Sequence, residues 1–181
     1  MKYLSTAFAI GCAALLTARP ATGQATGMPE SYRAVQLNAL ETQRKMLLSM
    51  VDSMPENLYH DKVTPIQRDF SQQVEHAAGA VVFIATKFLG STPPANIDTT
   101  KSYLNSRAGL RGYVNGVYDW AATTLKSQAE ANRVKVVDLF GVKVPGWQVW
   151  DEINQHTMWT GGQIVANFRK NGMAPPGFGF F

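Results

Sequence analysis

Apolar positions recur at three- and four-residue steps in four separate stretches, a pattern that predicts four long amphipathic helices. The first runs from Pro29 or Ser31 to Met54. Tyr32, Val35, Leu40, Leu47, Met50, Val51 and Met54 form its stripe, with Glu41, Arg44 and Lys45 on other faces. Pro29 early in the first turn and Pro55 just beyond the end mark its boundaries. The second begins with Thr64 as cap, Pro65 in the first helical position and Gln67 completing a capping box. It carries Ile66, Phe70, Ala77, Val81, Ile84 and Phe88 and stops at Gly90. The third spans Thr100 to Ala131, with Leu104, Leu110, Val114, Val117, Tyr118, Ala121 and Leu125 on one face. Gly109, Gly112 and Gly116 each weaken it by up to about 1 kcal/mol relative to alanine and leave room for another helix to approach. The fourth runs from Trp147 to Asn171 with Val149, Ile153, His156, Thr160, Ile164 and Phe168 in line; Gly172, Pro175 and Pro176 end it. Between the last two helices, Val134 to Val144 alternates as a strand does, which fits a short hairpin or an extended segment lying across the helices. Four amphipathic helices without a convincing sheet give an all-α four-helix bundle.

The chain ahead of the first helix changes this picture. MKYLSTAFAIGCAALLTARPATGQATG has one early lysine, an apolar stretch from Tyr3 to Leu16 and then small residues. This is the layout of a secretory signal cut between Gly23 and Gln24, leaving residues 24–181 as one bundle domain that works outside the cytoplasm, in a periplasm or extracellular space. A membrane anchor and a lipoprotein tethered through Cys12, which follows Gly11, are the alternatives. Cleavage removes Cys12, the only cysteine, and with it disulfides, thiolate metal sites and cysteine nucleophiles. Lys2 and Arg19 leave with it, so the formal charge falls from +4 to +2. With no basic stripe interleaved with aromatics, nucleic acid is not an expected partner, and nothing in the cleaved chain calls for stable membrane insertion. The apolar tail GFGFF can dock on the bundle, pack on another subunit or move freely.

Three histidines remain as candidate chemistry. His60 lies in the polar linker NLYHDK and is expected to be exposed. His156 sits on the core stripe of the fourth helix, and His76 at the edge of the apolar face of the second. Facing histidines on two bundle helices can hold one divalent ion, or each can be a core residue satisfied by a neighbouring carbonyl or hydroxyl. Glu152 lies one turn before His156 on the same face and could complete a set of two histidines and a carboxylate, whereas Glu75, beside His76, is expected to point elsewhere on its helix. Trp150, Trp159 and Tyr118 are candidates for pocket walls, or for ordinary core packing.

The segments FSQQVEHAAG and INQHTMWTGGQIVANFRKNGMAPP resemble the DinB-like (damage-inducible) superfamily. That family combines a histidine in the second helix with a His-x-x-x-His-Arg-Gly-Gln motif in the fourth. His76 and His156 match the first two ligands, and Gly162 and Gln163 match the Gly-Gln pair. The resemblance implies an up-down-down-up bundle, a homodimer, a zinc or nickel ion, and metal-dependent hydrolase or thiol S-transferase activity. The sequence departs from the motif where the third histidine and the arginine stand: here they are Thr160 and Gly161. A hydroxyl is a poorer ligand for zinc or nickel than imidazole, so His76, His156, Glu152 and Thr160 are the residues on which any metal site depends. Two functions therefore stay open: a metal-dependent enzyme with an atypical site, and a non-catalytic bundle that binds a small molecule or a partner. Gly161, Gly162 and Gln163 also spell the tripeptide of peptide-chain release factors, but an apolar helix is the wrong context for a motif that works in a loop.

Overall fold

A computed structural model describes residues 30–95 and 98–177. The expected signal segment and the tail beyond Gly177 lie outside the described residues. Four long helices dominate: α1 (Glu30–Ser53), α2 (Phe70–Leu89), α3 (Arg107–Ser127) and α5 (Gly146–Lys170). A short α4 (Glu130–Val134) and a hairpin of β1 (Val136–Leu139) and β2 (Val142–Pro145) join α3 to α5.

Cross-helix contacts fix the directions. Arg44 pairs with Asp119 and Arg111 with Asp52, so α1 and α3 are antiparallel. Phe70 packs on Phe168 and Gln73 bonds to Gln163, so α2 and α5 are antiparallel. Gln36 reaches Asp151 and Gln43 reaches Asn154, so α1 and α5 run together. The order is up-down-down-up, with α2 packed most extensively on α5 and α1 on α3. Leu47, Val51, Phe70, Val74, Val81 and Leu110 are fully buried in the core, with Val149, Trp150, Ile164 and Phe168 closing it from α5.

Several expectations are corrected. The second long helix starts at Phe70, not at Thr64. Asp69 caps it: its carboxylate accepts from the Gln72 N–H at 2.8 Å, and its own N–H donates to the Gln72 side chain at 3.2 Å. Residues Thr64–Gln67 form a separate turn that leaves Ile66 at the surface. The third helix is shorter than expected because Ser106 caps it at Arg107, and α4 takes up the residues after Ser127. Gly109 does allow a close approach, but by the backbone of Tyr103 in a single 3-10 turn (Ser102–Asn105) rather than by another long helix. On α1, Val35 is exposed and the buried positions between turns are Gln36 and Gln43. Their amides donate to Trp147 O at 2.8 Å and to Asn154 Oδ1 at 2.8 Å, which offsets part of the cost of taking them out of water, while both side-chain carbonyls stay without a partner among the described residues.

Of the two forms open to residues 134–144, the hairpin is the one present, with Val137 opposite Val144 and Leu139 opposite Val142. Its turn places Phe140 at φ 51° and Gly141 at φ 92°. Two left-handed residues give a two-residue turn that matches strand twist, a place where asparagine or glycine is usual and phenylalanine is strained.

Candidate functional site

The antiparallel packing of α2 on α5 brings His76 and His156 together. Their ring centroids are 5.0 Å apart, with the planes inclined by 69°. Both rings are half-buried and open into a cavity of about 310 Å³. Burial lowers the pKa of both imidazoles. For His76, Arg68, His156 and its neighbour's charge add smaller effects: the first two lower it further and Glu75 opposes them. For His156, Glu152 opposes the effect of burial and Arg68 adds to it. Both rings therefore favour the neutral form, in which a lone pair is free. His156 Nδ1 is buried and has no hydrogen-bond partner among the described residues. A ring nitrogen ~2 Å from a shared ion on each side would separate the centroids by roughly 5 Å, so the pair is spaced as two ligands of one ion would be.

The remaining candidates fall around this pair unevenly. Glu152 lines the same cavity and makes no ion pair among the described residues. Glu75 lines it as well, contrary to expectation, and is held by Lys101 Nζ at 3.0 Å. Thr160 is buried, does not line the cavity, and leaves its hydroxyl without a partner. Gly161 packs against α1: an added Cβ would stand 2.9 Å from Met46 Cε, so a side chain there has to displace the end of Met46. Among the described residues, no three histidine, aspartate or glutamate side chains gather as a ready metal site. His60 is exposed, as expected, with Nε2 3.1 Å from Asn105 Oδ1.

Of the three aromatics offered as cavity walls or core packing, Trp150 and Tyr118 are core and none lines the cavity. Trp150 is a core residue whose indole donates to Gln128, Tyr118 is buried elsewhere, and Trp159 is exposed. Phe83 and Phe140 line the cavity instead, with Ile84, Ala80 and Gly79. Phe83 could have been found from sequence, since it lies two helical turns beyond His76. Phe140 could not, because the sequence does not say where a hairpin tip docks. The Gly-Gly-Gln tripeptide lies inside α5, where Gln163 accepts from the Gln73 amide at 3.2 Å, and is not a loop.

Fold and site together define an all-α, up-down-down-up bundle with a two-histidine cavity between its second and last long helices. Among solved structures, the chain is similar to a DinB-like protein from Bacillus cereus ATCC 10987, with a TM-score of 0.65 and 15% identity, covering 78% of this chain and 94% of that one. The fold is therefore DinB-like. No family model matches the sequence, and no curated protein does. Among the described residues, no helix is long and apolar enough to cross a membrane.

Proposed function

We propose that this is an exported protein of DinB-like fold that uses His76 and His156 to hold one divalent ion, of the zinc or nickel kind, inside a cavity for a small molecule. The spacing of the two rings carries the reading: two imidazoles that favour the neutral form, 5.0 Å apart, one with a buried unpartnered nitrogen. Imidazole suits both metals. A bound ion would supply Lewis acidity, lowering the pKa of a water or thiol in the cavity, which is the chemistry of a hydrolase or thiol S-transferase. The chain itself presents the two lone pairs, keeps Glu152 within the same cavity as a further donor, and walls the site with apolar side chains that limit water. Export rests on the N-terminal signal pattern.

One observation favours a second reading, a non-catalytic binding bundle: the missing third ligand is not made good by a ready three-residue set among the described residues. Thermal melts with added zinc or nickel separate the two. The metal reading expects Tm to rise with ion in the wild type and not in His76→Ala/His156→Ala, because an ion that binds only the folded state stabilises it. No shift in the wild type, or an equal shift in the double variant, would leave only the second reading.

A further inference from the structure

The cavity has two chemically different ends. In the α2–α5 register, where His76 faces His156, Glu152 lies one turn along α5 and so comes level with Ala80, toward Phe83. One end holds the histidines and Glu75. The other holds Phe83, Phe140 and Ile84, with Glu152 between the two.

The aromatic end already attracts a cation. Lys87 Nζ lies 5.2 Å from the Phe83 ring centroid, 5.3 Å from Phe88 and 5.7 Å from Phe140. All three are within the roughly 6 Å over which a ring face draws an ammonium. Phe140 is set in place by its edge contact with Phe88, at a centroid separation of 4.6 Å, and is held in the left-handed region at a hairpin tip. A phenylalanine at such a strained position, largely exposed and on a cavity wall, is better suited to contacting a ligand than to making the turn. Glu152 adds a half-buried carboxylate without an ion pair among the described residues. The other carboxylate of the cavity, Glu75, is taken by Lys101.

We propose that Phe83, Phe140 and Glu152 bind the ammonium head of a small organic cation, whose body extends along the cavity toward the histidines. This rests on the cavity being the ligand site, as argued above, but not on an ion being bound there. Two ring faces and one carboxylate recognise a positive head with apolar substituents, and about 310 Å³ suits a molecule of modest size. Lys87 stands beside both rings without lining the cavity, and its charge opposes a second cation there.

Calorimetric titration with choline tests this, against its neutral isostere in which a quaternary carbon replaces the nitrogen. Choline should bind at least tenfold more tightly than the isostere. Glu152→Gln and Phe140→Ala should each weaken choline about tenfold, while Lys87→Met should strengthen it, an effect that loss of structure would not produce. Choline titrated without added metal, and zinc titrated without choline, let this proposal and the metal reading fail separately. Equal binding of choline and isostere, no binding of choline at millimolar concentration, or choline binding indifferent to Glu152→Gln and Phe140→Ala would overturn it.

Discussion

Burial holds the imidazoles of His76 and His156 below the usual histidine range, so both favour the neutral form in the fold. Unfolded, each would titrate near the ordinary value of about 6.5. A folded pKa below the unfolded one means the unfolded chain takes up the proton first. Their contribution to stability is therefore complete above about pH 6.5 and is lost as pH falls through the folded values. Urea melts from about pH 8 down to pH 5 should show wild type losing stability faster than His76→Gln/His156→Gln; parallel curves would mean the rings pay no burial cost. That these two histidines matter was legible, because the helical stripe put one in the core and the other beside it. The surroundings were not. Adjacent helix positions diverge by about a quarter turn, which suggested that Glu75 faces away, yet its long side chain reaches the cavity and is met by Lys101 from a loop distant in sequence. Thr160, one turn from His156 on the same helix, lies outside the cavity lining.

At the level of elements, periodicity located all four long helices, and its main errors lie at the start of the second and at both ends of the third. Thr64-Pro65-x-Gln67 has every local sign of a helix start, but Asp69 and Gln72 form the cap that is used, five residues later, at the end of a linker whose Tyr59 packs on Phe70. Ser71 N–H donates to Tyr59 O at 3.0 Å, anchoring the first turn of α2 to that linker. Asp69→Ala removes the buried cap and should cost about 1–2 kcal/mol in chemical denaturation, whereas Thr64→Ala should change stability by only a few tenths. Equal losses from the two would restore Thr64 as the working cap. Because α2 carries His76, Glu75 and Phe83, the position of this cap also sets the register of the site. The hairpin was foreseen as one of two options. Its role as a cavity wall was not, since alternation along a strand carries no information about which helix its tip will meet.

For the whole molecule, the all-α class followed from four amphipathic stretches, and the up-down-down-up order from the resemblance. Ion pairs and side-chain amide hydrogen bonds between helices show that order directly, and the likeness to the Bacillus cereus protein shows that the fold is DinB-like. What the fold leaves open is the chemistry, because third-ligand replacement is a matter of one or two side chains on an otherwise intact frame. Export belongs to the same scale: mass spectrometry of the native protein should find Gln24 at the N-terminus, whereas a retained Met1 or a lipidated Cys12 would reassign the leader. The central claim is a shared ion between α2 and α5, and anomalous diffraction at the zinc absorption edge from crystals grown with zinc tests it most directly. The account predicts one peak bonded to a nitrogen of His76 and to a nitrogen of His156, about 2 Å from each. Zinc found only at surface residues such as His60, with the His76–His156 cavity free of metal density, would contradict it.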